Sequence, residues 1–324
     1  MRRPAVLVAA LLLALGVAGC SVISVDLSPR IRPLEEQKVE GRGAAKILLM
    51  DVSGFLSDEA PSGLINIGTP PPTVPPLVRL REELKKAADD GNVKALVVKI
   101  NTPGGTVTAS DIMYREVQSF RQTTQKPVIA IMMDVAASGG YYLALAADSI
   151  LAHPTTITGS IGVIMLTLNA EGLLQKIGVG ATAIKSAERK DMGSPLRSLL
   201  PEERAIFQSV IDDFQRQFLA KVTDRRRLPA EVVLRLADGR VYTAQQALEH
   251  KLIDRIGYVP DALEAARKAV GVEEATVIVY KRPRQYRATY YATAESHPGG
   301  VEASLSHFGA LMGAGPRFLY LWAP

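Results

Sequence analysis

Ser138 is the residue of this chain best placed to do covalent chemistry. It lies in Asp134-Val135-Ala136-Ala137-Ser138-Gly139-Gly140-Tyr141-Tyr142, between an apolar run over 127–133 and an Ala-rich run over 142–147. The first run is continuously apolar and β-branched at its start, as a buried strand is. The second is made of strong helix formers without Gly or Pro. Ser138 therefore falls on a strand-to-helix turn, where free backbone N–H groups and the positive end of the helix dipole can hold a developing oxyanion. Gly139 and Gly140 let a substrate come close to the backbone. The competing reading of the same residues is a plain helix start, with Ser138 as N-cap and the glycines as a turn.

The elements that must position such a turn alternate along the chain. A strand is expected over 46–52, a proline-rich loop over 57–76, and a helix over 77–90, where Leu77, Leu80, Leu84 and Ala87 recur at intervals of three and four before Gly91. A strand over 95–100 runs into a second glycine turn, Asn101-Thr102-Pro103-Gly104-Gly105, and a helix over 108–121. This order argues for an α/β fold with parallel strands, right-handed crossovers, and working loops at the strand C-terminal ends. Further on, strands are expected over 149–152, after the turn at 158–162, and over 181–185, with a short helix over 171–177. A charged loop over 186–197 contains Lys190. Pro201 opens a helix with Glu202 and Glu203 in its first turn and an apolar stripe through Phe207, Phe214 and Phe218. Arg225, Arg226 and Arg227 near its end read as dipole and solvation residues. Helices over 243–251 and 260–270 and a strand over 276–280 complete the pattern. The aromatic end, 318–322, is expected to pack on a neighbouring copy, to enter a substrate groove, or to fray.

Bulk properties bound the function. With 324 residues, 47% of them hydrophobic, the chain supports a real core, and a net charge of +5 from scattered basic residues argues against a nucleic-acid face. Met1-Arg2-Arg3-Pro4, an apolar run over 5–18 and Gly19-Cys20 have the form of a secretory signal. Val17-Ala18-Gly19-Cys20 resembles a bacterial lipobox, which would make Cys20 a lipidated N-terminus. Cys20 is the only cysteine, so no disulfide forms within one chain. The alternative is an uncleaved anchor, although the apolar run is shorter than the roughly 20 residues of a usual span. Either way the remainder should face away from the cytoplasm, on the periplasmic side of a bacterial membrane. Residues 21–45, polar and carrying Pro29 and Pro33, read as a tether. The expected division is thus a signal or anchor over 1–20, a tether over 21–45, a catalytic domain over 46–272, and a C-terminal strand and tail over 273–324.

Taken together, several ordered motifs give the chain a family resemblance. Asn-Thr-Pro-Gly-Gly at 101–105, Ala-Ala-Ser-Gly-Gly-Tyr-Tyr at 136–142, Thr-Ile-Thr-Gly-Ser-Ile-Gly at 156–162, Lys-Asp-Met-Gly-Ser-Pro at 190–195 and Gly-Arg-Val-Tyr-Thr-Ala at 239–244 resemble signal peptide peptidases of the SppA type. These are serine–lysine proteases of the Clp/crotonase fold, with repeated β-β-α units and mostly parallel sheets. The resemblance spans about residues 46–271. Thr102, where the family usually has serine, and His153 depart from the pattern without touching the positions that matter. The resemblance implies Ser138 as nucleophile, Lys190 as general base, Ser160 as the residue orienting the lysine amine, and the Gly105 and Gly139 amides as the oxyanion hole. A lysine serves as base only when neutral, and bringing its pKa from about 10.4 to near 7 costs roughly 4–5 kcal/mol, supplied by burial and cationic neighbours. It further implies released signal peptides and other apolar peptides as substrates, and homo-oligomers in which one subunit lends its lysine to the next. No cofactor, metal or nucleic-acid partner is expected.

Three other readings stand beside this one. A Ser–His–Asp triad would use His153 with Asp148 or Asp134. A crotonase-like acyl-CoA enzyme would share the fold and the oxyanion hole without a serine nucleophile, although a secreted chain would not meet acyl-CoA. A non-catalytic scaffold would have no reason to keep both Ser138 and Lys190.

Overall fold

Strands without polar interruption must be covered on both faces, and such strands form the middle of a mostly parallel sheet. The computed structural model describes residues 32–59, 74–283, 289–292 and 317–323. Up to the glycine turn at Ser138 the chain forms β1 (Glu35–Gly41), β2 (Lys46–Ser53), α1 (Pro76–Asp89), β3 (Val93–Thr102), β4 (Gly104–Thr106), α2 (Val107–Thr124) and β5 (Val128–Ala137). After it come α3 (Gly139–Ala144), β6 (Ser149–Ala152), β7 (Ile157–Gly159), β8 (Ile164–Leu166), α4 (Glu171–Lys176), α5 (Pro201–Arg226) and α6 (Ala230–Leu236). The chain then continues through β9 (Val241–Thr243), α7 (Ala244–Glu249), β10 (Arg255–Ile256), α8 (Val259–Ala269), β11 (Thr276–Lys281) and β12 (Arg317–Leu321).

The main sheet has the order β1-β11-β2-β3-β5-β6-β10, all parallel except for the β1–β11 pair. The pleat sorts its side chains. Leu48, Met50, Leu96, Val98, Val128 and Ala130 pack with helical residues such as Leu80, Leu84, Met113 and Val117 on one face. Ile47, Leu49, Ala95, Val97, Ile129 and Ile131 pack under Val259, Ala262, Leu263 and Ala266 of α8 on the other. This is the mixed α/β, Clp/crotonase-like architecture the motifs lead one to expect.

Several local expectations are corrected. Residues 35–41, assigned to the tether by their polarity, are β1, whose ladder with β11 gives a half-exposed polar strand a partner. β11 lies inside the main sheet between β1 and β2, so the strand after residue 272 is part of the core and not an appendage. The strand expected over 181–185 is absent: those residues are exposed without regular structure, because no neighbouring strand offers them an edge. The helix α6 had too short a period to read. Arg225 and Arg226 bind the carbonyls that follow α3 and α7 rather than remaining in solvent, donating to Leu145, Ala147 and Lys251. Residues 1–31, with the signal and Cys20, lie outside the described residues. Among the described residues no helix is long and apolar enough to cross a membrane.

One polar contact sits within this apolar sheet. Lys99 on β3 meets Asp51 on β2 at 3.1 Å, both side chains at least 96% buried, and Lys99 also donates to the carbonyls of Tyr290 (3.2 Å) and Ala292 (3.0 Å). The Ser53 hydroxyl adds to the Asp51 carboxylate at 3.1 Å. Removing one member of such a pair strands the other charge. Lys99→Met is therefore expected to destabilise the fold by about 3 kcal/mol, read as a lower urea midpoint with an unchanged m-value; a midpoint like that of the parent chain would show that the pair adds nothing.

Candidate active site

Ser138 is held in a backbone conformation that serine avoids. Its φ of 51° and ψ of −111° place it outside the ordinary L-residue regions, a geometry that costs about 1–3 kcal/mol and persists only where the surroundings enforce it. The enforcement is visible. Ser138 N–H donates to the Gly159 carbonyl at 2.7 Å, and its own carbonyl accepts from Tyr142 N–H at 2.8 Å. α3 is then pinned at two points, by Tyr141 Oη donating to the Leu252 carbonyl (2.9 Å) and Tyr142 Oη donating to Asp111 (2.6 Å). Burial raises both phenol pKa values, and the hydrogen bond to Asp111 adds to the rise at Tyr142. The Ser138 side chain makes no capping hydrogen bond, and its hydroxyl lies 3.5 Å from the Gly162 carbonyl. Ser138 starts the helix without acting as an ordinary N-cap, which removes the plain helix-start reading.

The two glycine turns meet backbone to backbone. A Cβ on Gly104, whose φ is +112°, would stand 2.9 Å from the Gly139 nitrogen, and a Cβ on Gly105 would fall 2.0 Å from the Leu56 carbonyl oxygen. Leu56 N–H donates to Gly104 O (2.9 Å) and Thr106 N–H to Leu56 O (3.0 Å), so Leu56 holds one edge of β4. Thr102, the departure from the family pattern, is fully buried and shapes the turn: its hydroxyl accepts from Gly104 N–H at 3.0 Å and donates to Gly54 O. Asn101 Oδ1 accepts from Val135 N–H at 3.1 Å, closing the gap where the β3–β5 register shifts. These contacts set the Gly105 and Gly139 segments side by side next to Ser138.

Ser160 reaches the same place from β7. It follows Gly159, the acceptor of Ser138 N–H, has φ 48°, is 7% exposed, and donates its own N–H to Arg240 O at 2.8 Å. β9 lies antiparallel to β7, so the 239–244 motif buttresses the serine turn from outside.

Lys190 is not brought to Ser138 within the chain. It is exposed in a turn, its backbone N–H donating to Ala187 O at 3.2 Å. The loop that carries it is nevertheless well tied. Asp191 accepts from Lys185 (2.7 Å) and from Arg197 (2.8 Å), and Arg197 reaches Glu203 in the first turn of α5 (2.9 Å). Hydrogen bonds from Arg197 hold both carboxyls below the usual carboxylate range. In the sequence, Arg197 is marked only by an acid six residues away on either side, a weak signal.

The triad alternative fails on geometry. His153 N–H donates to Met132 O, six residues before Ser138 on β5, which is roughly 15–20 Å of extended strand. Its Nδ1 pairs with the Thr155 hydroxyl at 2.9 Å and its ring packs edge-on against Tyr258. Asp148 is engaged by Arg121 and Val128 N–H, and Asp134 is exposed.

A strained serine between two glycine turns, on a mostly parallel α/β sheet, puts the protein in the class of serine-type peptidases with a Clp/crotonase-like fold, and the relatives agree. Residues 120–273 match the model of peptidase family S49. A protein of Enterococcus faecium named "Putative signal peptide peptidase SppA" is 36% identical over 256 residues, 76% of this chain and 70% of the relative. The "Serine protease SPPA, chloroplastic" of Arabidopsis thaliana is 35% identical over 209 residues, 63% of this chain and 31% of the relative. "Protease 4" of Haemophilus influenzae is 36% identical over 195 residues, covering 60% and 31%. The chain belongs to peptidase family S49, of the SppA type.

The contact between the glycine turns makes an exacting position. In Gly104→Ala the added methyl would stand 2.9 Å from the Gly139 nitrogen and 1.9 Å from the Tyr320 carbonyl oxygen, so both the facing turn and β12 would have to shift. Peptide turnover is expected to fall about 100-fold while the circular dichroism of the fold is kept; an unchanged rate would remove this contact from the site.

Proposed function

We propose that the protein is a membrane-tethered endopeptidase that works through Ser138 and Lys190 on apolar peptides, released signal peptides among them. The observation that carries the nucleophile assignment is the enforced strain at Ser138, which has no capping function to explain it. In this mechanism Lys190, neutral, takes the Ser138 proton as Oγ attacks the scissile carbonyl. Ser160 orients the amine, and the amides of Gly105 and Gly139 hold the oxyanion, each worth a few kcal/mol in the transition state. The returning proton leaves with the amine product, and water repeats the sequence on the acyl-enzyme.

Lys190 then comes from a neighbouring subunit. Supporting this, the segment that carries Lys190 exposes many apolar side chains. α4 buries none of its residues, and Leu168, Leu173, Ile177, Ile184, Leu196 and Leu200 are all exposed between β8 and α5. Exposed apolar side chains gathered in one segment mark an interaction surface, and burying Lys190 there would supply the desolvation that a neutral lysine needs.

The N-terminal signal, with Cys20 as its lipidation point, would tether the catalytic domain on the periplasmic side of the membrane, the tether ending before β1. This tethering and the extended apolar substrates belong to one reading: a peptide binds by pairing with exposed backbone edges, and an enzyme held at the bilayer meets apolar segments first.

Mixing tests the shared site. Ser138→Ala and Lys190→Ala should each lower turnover of a small peptide amide at least about 1,000-fold. Dissociating and reassembling the two inactive variants together should restore a measurable fraction of the activity. Activity from either variant alone would end the dyad, and an active monomer by light scattering would end the sharing.

A further inference from the structure

Residues 177–200 join α4 to α5 without helix or strand, and of residues 181–200 only Gly193 is buried. Apolar packing therefore cannot fix where Lys190 stands, and polar links have to do it. The returning limb of the loop is tied to α4: Ala170 N–H donates to Pro195 O at 2.7 Å, and the Glu171 carboxylate accepts from Ser198 N–H at 2.9 Å and from the Ser198 hydroxyl at 2.7 Å. Lys190 lies on the outgoing limb, beyond these ties. Arg197 joins the two limbs.

Its guanidinium is used on both edges. Nε and Nη2 donate to the two carboxylate oxygens of Asp191 at 2.9 and 2.8 Å, and Nη2 lies 3.3 Å from the Asp191 carbonyl as well. Nη1 and Nη2 donate to the two oxygens of Glu203 at 2.9 and 2.5 Å, and Nη1 also reaches Ser198 O at 3.1 Å. Glu203 is 2% exposed and belongs to the first turn of α5, whose later turns bury Phe218 and Val222 completely. The residue after Lys190 is thus clamped, through one planar fork, to a helix set in the core. Forks of this kind fix direction as well as distance. α5 does not need the clamp to form: Pro201 opens it, Glu203 accepts Leu200 N–H at 3.1 Å, and partly exposed ion pairs add little stability. Lys185 completes the engagement of Asp191 at 2.7 Å, so the acid next to the base meets two cations and its pull toward a charged lysine is offset.

We propose that Arg197 is the positioning residue of the general base: by clamping Asp191 to Glu203 it fixes the backbone at Lys190, so that the amine enters the site in one direction. The inference rests on Lys190 being the base and deepens that reading by naming what aims it. Arg197 touches no reacting atom; it acts through Asp191 and the backbone of Lys190.

Arg197→Met in the full chain should lower kcat for a small peptide amide about 100-fold, as an ångström-scale misplacement does, and leave KM within about twofold. Arg197→Lys keeps the charge without the fork and should stay at least about tenfold below the parent chain in kcat. Hybrids separate aiming from folding. Active hybrids of Ser138→Ala and Lys190→Ala chains take their lysine from the Ser138→Ala chain. Arg197→Met added to that chain should lower hybrid activity about 100-fold; added to the Lys190→Ala chain, which has no lysine to aim, it should leave hybrid activity within about twofold. Equal effects in the two chains would give Arg197 a purely structural role and overturn the proposal. If Arg197→Met does not assemble, Asp191→Asn loosens the same clamp from its other end, and the same contrast between chains decides. Where the two inactive variants fail to complement, each site uses its own lysine, and the kcat and KM of Arg197→Met and Arg197→Lys decide. A parent-like kcat in Arg197→Met while Lys190→Ala is inactive overturns the proposal and leaves the dyad standing. Full turnover by Lys190→Ala ends the dyad and the proposal with it.

Discussion

Everything near the site depends on keeping one serine in a left-handed backbone conformation. At φ 51° and ψ −111° Ser138 relaxes unless its neighbours forbid it. They do so from three directions: β7 takes its N–H, the Gly104 backbone abuts Gly139, and the two tyrosines of α3 fix the helix that follows. Each support is itself long-range. Gly159 is fixed by β9, Tyr141 by Leu252, and Gly104 by Leu56. The strain at a single residue thereby explains why the motifs at 101–105, 136–142, 156–162 and 239–244 must be present together.

The sheet makes room for this turn by changing partners. β5 pairs with β6 as far as Met132 and then with β7 from Val135, while β3 remains on its other side through a register shift. The chain end of β5 is therefore supported on both edges at the point where it turns. β4 and β8 stand apart from the main sheet and present short edges that accept an extended strand between them. Unpaired edges are liabilities in a stable fold. Here the strand filling the gap is β12, which satisfies the edges and lays an aromatic side chain against α3 and α5.

The electrostatics of the lysine loop separate two tasks. Arg197, Asp191, Lys185 and Glu203 form a network that ties the loop to the start of α5. These pairs are partly screened by water and add little to global stability, but they fix the direction in which the loop departs. Lys190 itself is exposed and takes no part in the network. A rigid mount with a free amine is what a residue needs if its environment is to be completed by something else.

Much of this was legible from residues alone. The continuous apolar runs gave the central strands because burial on both faces leaves no room for polar side chains, and 3.6-residue spacing gave α1 and α5. The glycine turns were recognisable because close backbone contact admits no other residue at Gly104 and Gly105. Polarity misled at β1, where a strand half open to solvent needs only a ladder partner, and over 181–185, where β-forming residues found no edge. Three-dimensional proximity decided the rest. That Ser138 is strained rather than capping follows from its contact with Gly159, and that His153 stands far from it follows from strand pairing. Sequence alone left the aromatic end with three possible fates; the fold places Tyr320 against Gly105, because only the assembled sheet creates the gap between β4 and β8 that it fills.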